Sequence, residues 1–308
     1  MDHSLDNTVI APGSSISVLG PHGAFSEMAA NMVLGDRVDV HDVDVQLKSS
    51  MHEVRRSVSE NTLGLIPDVN YSTGPEDDNR RALFKKPWRI RAELYMRIVM
   101  CLGAQGNLDL SEAAAVHSKD VAIKQCEDYL EQHCPQAHWQ NEASTAEAAR
   151  IVAELDEPNH LALASEGALT KNGLTVLKTG GISNAELNGS ANVTRFLLVQ
   201  DATSEDPELD PDSKYHGLVI TPKDRKGVSA DVSRAFADNG MNLFAQPEMP
   251  IGMLKYRFLY LFERIDSDAD VMALLQELDR LLEPANGRYP LIKSLGSWND
   301  RIIDPTIS

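Results

Sequence analysis

The stretch SISVLGPHGAFSE, Ser15 to Glu27, decides how the rest of the chain is read. SISVLG alternates polar and apolar residues as a strand does. Gly20 and Gly23 then loosen the chain, and EMAANMVLG follows with Met28, Met32 and Leu34 on one predicted helical face. A strand, a glycine-bearing loop and a helix in that order make one unit of an α/β fold. Where strand becomes helix, backbone N–H groups and the Ser26 hydroxyl either face an anion or simply cap the helix.

The same rhythm recurs downstream. VRRSVSENT continues a second helix, TLGLIPDV is a second buried strand, and ELYMRIVMCLGA (93–104) reads as a third. From 113 to 179 a new lobe begins, with AAAVHS and HLALAS as strands and KDVAIKQCEDYLEQH and STAEAARIVAEL as helices. The strongly apolar NVTRFLLVQ (192–200) arrives after Gly180, Gly181 and Gly189. A late strand returning to the first lobe leaves a cleft between two lobes, the first covering about 14–105 and 180–200 and the second about 106–179. Residues 1–13 read as a flexible tail. DATSEDPELDPDS (201–213) holds six acids, two prolines and no base, so it reads as an acidic linker that cannot pack a core. Residues 214–300 then follow the order strand, helix, strand, strand, helix, strand, which predicts a ferredoxin-like βαββαβ domain.

Composition bounds the function. With 308 residues, 42% hydrophobic and 24% charged, the chain has the make-up of a multi-lobed globular protein. A formal charge of −17 and a pI near 4.9 argue against nucleic acid or an anionic membrane as the main partner. No run reaches the length of a transmembrane helix, and MDHSLDNTVIAPGSS has neither the basic nor the apolar part of a secretion signal, so the expected compartment is the cytoplasm. Cys101, Cys126 and Cys134 form no CxxC pair and are expected as free thiols. His133, Cys134 and His138 lie close in sequence but lack a fourth ligand, so no metal site is expected.

Four further stretches carry candidate chemistry. In NEASTAEAARIVAEL, Ser144 and Glu147 have the spacing of a capping box, and Thr145 adds a second hydroxyl at a helix end suited to a carboxylate. Ser118 and Gln125, seven residues apart, fall on one side of a helix, either lining one wall or serving as a cap and a solvent-facing amide. Thr194 and Arg195 interrupt an otherwise buried-looking strand, either as packing or as a cleft edge, and burying them unpaired is costly. GLIPDVNYSTG (64–74) begins as a buried strand and turns polar at Asp68, Asn70 and Tyr71, as a turn or as the wall of a site.

Together these stretches resemble the prephenate dehydratase family from about residue 15 to 298. Gly20-Pro21-His22-Gly23-Ala24-Phe25-Ser26-Glu27 is similar to that family's GPxGTFSE opening. Ala143-Ser144-Thr145-Ala146-Glu147-Ala148-Ala149, Ser118 with Gln125-Cys126, and Asn192-Val193-Thr194-Arg195-Phe196 follow in family order. The resemblance implies a two-lobed, periplasmic-binding-protein-like catalytic domain, an ACT-like regulatory domain, prephenate in the cleft, no cofactor, and a homodimer or higher homo-oligomer. It implies that Thr194, with Asn70, Ser118 and Gln125, serves catalysis and sits near the ring hydroxyl. Ser26, Ser144, Thr145, Arg195 and Phe196 then hold the substrate.

The departures bear on the reaction. Where the family reads Pro-Ile-Glu-Asn-Ser, this chain has Pro67, Asp68, Val69, Asn70 and Tyr71, so Val69 and Tyr71 stand at a specificity switch. Valine cannot donate a proton to a departing hydroxide. Asp68 falls on the opposite face of an extended strand, and Tyr71, Asp68 and His22 are the candidate donors. Gly227-Val228-Ser229 replaces a Gly-Ala-Leu motif, and Pro247-Glu248-Met249-Pro250 replaces Glu-Ser-Arg-Pro, which weakens the case for phenylalanine feedback. The expectation is a non-aromatising prephenate decarboxylase of a specialised pathway, such as one supplying an antibiotic. The alternatives are a prephenate dehydratase forming phenylpyruvate and a non-catalytic ligand sensor.

Overall fold

The computed structural model describes residues 10–11, 13–35, 43–202, 209–222, 226–252, 255–265, 268–282 and 292–307. Most of the expected N-terminal tail (1–9 and 12) and the middle of the acidic linker (203–208) lie outside the described residues. Two compact units form, one from Met1–Glu76, Glu93–Leu197 and Arg301–Ser308, the other from Asp77–Ala92 and Leu198–Asp300. Residues 77–92, placed with lobe 1 at the sequence level, thus group with the C-terminal part.

The first unit contains two sheets, apart from Trp88–Ala92 and Leu198–Asp201 at the ends of two strands, which are grouped with the second. One is built from β1 (Ser15–Leu19), β2 (Asp44–Lys48), β3 (Thr62–Asn70), β4 (Gly74–Pro75), β5 (Trp88–Arg97), β11 (Val193–Asp201) and β17 (Arg301–Ile303). Its order is β17-β5-β11-β3-β1-β2, with β4 folded back onto β3. β1 runs parallel to both neighbours, Ser15 lying opposite Asp44 and Thr62. Leu63, Leu65 and Ile66 of β3 are fully buried, the continuous apolar run expected of a strand covered on both faces. β11 returns to this sheet, as the late apolar strand predicts.

The other sheet holds β6 (Cys101–Ala104), β7 (Ala115–Ser118), β8 (His138–Asn141), β9 (His160–Ala164) and β10 (Thr175–Thr179) in the order β10-β6-β9-β7-β8. The run 93–104 is therefore two strands in two lobes, and β6 belongs to lobe 2. At the crossing, Ile98 N–H donates to Asn192 O (2.7 Å) and Gly180 N–H to Met100 O (3.0 Å). No glycine or proline marks the break, because the apolar pattern passes unbroken from one core into the next.

Two helix expectations need correction. In α1 (Phe25–Leu34) the buried face is Ser26, Ala29, Ala30, Val33 and Leu34, while Met28 is exposed. Small residues let this helix lie close to its sheet. The single helix expected over 119–133 is two, α4 (Asp120–Gln125) and α5 (Glu127–His133), broken at Cys126 with φ −119 and ψ 11. Ser118 is the last residue of β7, so the one-face relation with Gln125 does not arise.

The second unit is an antiparallel sheet of β12 (Tyr215–Ile220), β13 (Met241–Ala245), β14 (Glu248–Gly252), β15 (Lys255–Arg264) and β16 (Ile292–Trp298). The order β13-β15-β12-β16 is ferredoxin-like, and β14 is an unexpected extra strand pairing with β15. α9 (Val228–Asp238) and α10 (Val271–Leu282) cover the sheet. Val271, Leu274, Leu278 and Leu282 form one buried stripe of α10 packed with Phe236, Tyr260 and Phe262.

Candidate active site

The GPHGAFS loop is stitched to lobe 2. Ser165 Oγ donates to Gly23 O at 2.6 Å, and Ala24 packs in the lobe-2 core with Ala146, Ala164 and Ala168. Gly23 has φ +83, and a Cβ there would lie 2.6 Å from Ala168 Cα, so only glycine permits this approach. The first turn of α1 then opens onto a cavity without a side-chain cap. The second turn-in comes from lobe 2, where α6 (Thr145–Glu154) begins at Ser144.

Both helix ends border one cavity of about 160 Å³ whose lining includes Phe25, Ser26, Asn70, Thr73, Glu76, Lys119, Gln125, Ser144, Thr145, Thr194 and Phe196. Its polar centre is Asn70. The Asn70 amide nitrogen donates to Thr194 Oγ1 (2.9 Å) and Asn192 Oδ1 (2.7 Å). Asn70 Oδ1 accepts from Ser72 N (2.9 Å) and Thr73 N (3.0 Å). Because the Thr194 oxygen accepts from Asn70, its own O–H remains to donate. Gln125 approaches the same network, its Oε1 accepting from Asn192 Nδ2 at 3.4 Å.

Several expected site residues lie elsewhere. Ser118 is fully buried and donates to Leu163 O at 2.6 Å, outside the cavity lining. Arg195 is also buried and does not line the cavity. Its Nε donates to Asp68 Oδ2 at 3.0 Å, Nη2 reaches the same oxygen, and Nη1 lies 4.0 Å from Glu93 Oε2. Glu93 in turn meets Arg301 at 3.2 Å. Two carboxylates and two guanidinium groups thus balance within the unit. Burial alone would lower the Arg195 pKa, but the charges of Asp68, Tyr95 and Glu93 outweigh it and hold the pKa above its ordinary value.

This pairing removes Asp68 as a proton donor to the cavity. Val69 is half-buried, lies opposite Pro75 across the β3–β4 pair, and is not among the lining residues. Tyr71 is 58% exposed, with its ring 6.3 Å from that of Tyr95. His22 is largely exposed and its Nδ1 lies 2.7 Å from Glu27 Oε1. Burial raises the Glu27 pKa, yet the Gly23 N–H and His22 together bring it below the usual value. The capping box at Ser144 is half formed: Ser144 Oγ accepts from Glu147 N at 3.0 Å, but the Glu147 carboxylate turns to Arg150. A complete box occurs instead at Ser183 and Glu186.

Sequence reading missed Lys119, Glu76 and Thr73. Lys119 follows the end of β7, and in open α/β sheets ligands gather just beyond the carboxyl ends of parallel strands, so position alone offered a signal. Glu76 offered one only through the turn glycine, Gly74, with φ +96. Among the described residues no cluster of three or more metal-ligating side chains forms, and no helix is long and apolar enough to cross a membrane.

Fold and cavity together define a two-lobed α/β unit with a small site lined by polar side chains. The family model of prephenate dehydratase matches residues 16–204, and the chain belongs to that family. It is 27% identical over 197 residues to the bifunctional chorismate mutase/prephenate dehydratase of Escherichia coli K12, covering 63% of this chain and 48% of that protein. The chain spans about half the length of such curated relatives. The prephenate dehydratase of Arthrobacter aurescens, solved in complex with L-Phe, is 25% identical with a TM-score of 0.74, covering 92% of this chain and 89% of its own. The Staphylococcus aureus Mu50 prephenate dehydratase shares the fold at a TM-score of 0.73 and 24% identity, covering 93% of this chain and 100% of its own.

Proposed function

We propose that the protein is a lyase acting on prephenate, and that it releases carbon dioxide while leaving the ring hydroxyl in place. Family membership supports the substrate. The observation that carries the reading is the Asn70–Thr194 pair inside a cavity bordered by Lys119 and two helix N-termini. Prephenate has two carboxylates and a ring hydroxyl. The Lys119 ammonium and the α1 and α6 ends, with the hydroxyls of Ser26, Ser144 and Thr145, suit the carboxylates. Thr194 suits the hydroxyl.

Decarboxylation needs the electron pair of the breaking bond to move into the ring. In dehydration that pair expels hydroxide, which leaves readily only if protonated. Thr194 can hydrogen-bond the hydroxyl but is too weak an acid to protonate it, and position 69 supplies a valine. Protonation of a ring carbon is then the easier outcome, and the hydroxyl stays. Dehydration to phenylpyruvate is the second reading, favoured by the carboxyl group of Glu76 on the cavity wall. Mass spectrometry of the product formed from prephenate separates them. The expected product is non-aromatic and heavier than phenylpyruvate by one water, and phenylpyruvate formed at an enzymatic rate would sink the first reading. The ferredoxin-like unit fits a role as an ACT-like domain supporting a homo-oligomer.

A further inference from the structure

We infer that Glu76 is the acid that supplies the proton of the reaction in this cavity, in place of the carboxyl group that position 69 lacks. This rests on the reading of the protein as a prephenate lyase. Among the described residues lining the cavity, Glu76 is the one carboxyl group and Lys119 the one cation. The chain delivers Glu76 there by folding back on itself. Asn70 pairs with Gly74 and Val69 with Pro75 across the β3–β4 turn, and Glu76 N–H donates to Asp68 O at 2.9 Å. A residue six positions beyond Asn70 therefore stands beside the same strand end.

The other acids of the unit near the site are engaged. Asp68 is held by Arg195, Glu93 by Arg301, and Glu27 by Gly23 and His22. The Glu76 carboxylate has no hydrogen-bond or ion-pair partner among the described residues. Lys119 is better employed in holding a substrate carboxylate, since giving up its proton would leave that anion without a partner.

The step balances without an oxidant or reductant. The bond between the ring carbon and its carboxylate breaks, carbon dioxide leaves neutral, and the electron pair passes through the adjacent ring double bond. It ends as a new carbon–hydrogen bond with the Glu76 proton. The product keeps its hydroxyl and one carboxylate, and Glu76 is left ionised, to be reprotonated by water.

Glu76→Gln tests this. With folding checked by circular dichroism, prephenate turnover should fall ~100-fold or more, the scale of general-acid catalysis, while calorimetric prephenate affinity stays within about threefold. In deuterium oxide the wild-type product should carry one deuterium on a ring carbon. Turnover above a tenth of wild type in Glu76→Gln, or a loss of binding as large as the loss of turnover, overturns the assignment. Phenylpyruvate without ring deuterium, formed by wild type and lost in the variant, retires the outcome that keeps the hydroxyl but supports Glu76 as the acid acting on the hydroxyl. No consumption of prephenate by wild type overturns both.

Discussion

Thr194 and Arg195 are adjacent, yet they do opposite work. Thr194 faces the cavity with its oxygen occupied by Asn70, whereas Arg195 faces inward against Asp68 and Glu93. Thr194→Ala removes one donor from the site but leaves the Asn70 amide bonded to Asn192. Turnover should drop by ~10²–10³-fold and stability by about 1 kcal/mol, read by steady-state kinetics and urea unfolding. Arg195→Ala leaves the buried Asp68 carboxylate without its main partner, and should cost about 3–5 kcal/mol or prevent folding. If that variant were stable and merely weak in binding prephenate, Arg195 would be a substrate ligand after all. Both residues were visible in the sequence as polar interruptions of an apolar strand. Which of them faced the cavity depended on neighbours more than a hundred positions away.

Among the elements, the loop before α1 is the one most constrained by its surroundings. A methyl group at Gly23 would meet the Ala168 backbone, and φ +83 is unfavourable for alanine. Gly23→Ala should push the loop off lobe 2, moving Ser26 away from Ser144 and Thr145. Prephenate affinity should weaken at least about tenfold, roughly 1.4 kcal/mol, with a smaller relative change in the far-ultraviolet spectrum than in binding. Equal affinity in the folded variant would show that this approach is not needed. Strand–loop–helix alternation was legible here from glycine placement and apolar period. The split of 93–104 into β5 and β6 was not, because the apolar pattern runs on past Arg97 and Ile98 into Val99 and Cys101, which pack in the lobe-2 core. The two-helix break at Cys126 was hidden in the same way, by a helical pattern that continues on both sides of it.

For the molecule as a whole, acid stability turns on His216. Its ring is fully buried against Phe262, with Nε2 donating to Ser213 O (2.9 Å) and Nδ1 beside Ser297 Oγ (2.8 Å). Burial pushes its pKa down from 6.5 to about 4. The unfolded chain therefore binds a proton that the folded chain refuses, so stability falls as pH drops below 6.5 and the loss levels off near pH 4. Between pH 7 and 5 this one group should remove about 2 kcal/mol, measured by urea unfolding. His216→Gln should lose that share of the pH dependence, and an unchanged slope would dismiss His216 as its source. The thiols shift the opposite way for the same reason, since burial disfavours the charged form: it pushes Cys126 up to about 12 and Cys134 up to about 11, so they add nothing to the acid dependence.

Read along the chain, local patterns were enough to establish an α/β protein, a cleft made by a returning strand, a ferredoxin-like C-terminal sheet and the family to which the motifs belong. Those properties depend on short-range period, turn residues and motif spacing. The make-up of the site did not follow from them. Val69 drew attention through a missing acid, whereas folding leaves it half-buried opposite Pro75 and brings Glu76 to the cavity wall. Ser118 kept its family position but spends its hydroxyl on Leu163. Facing, pairing and burial are set by contacts between residues far apart in the chain, and the charges available to a substrate could be counted only once the lobes had packed.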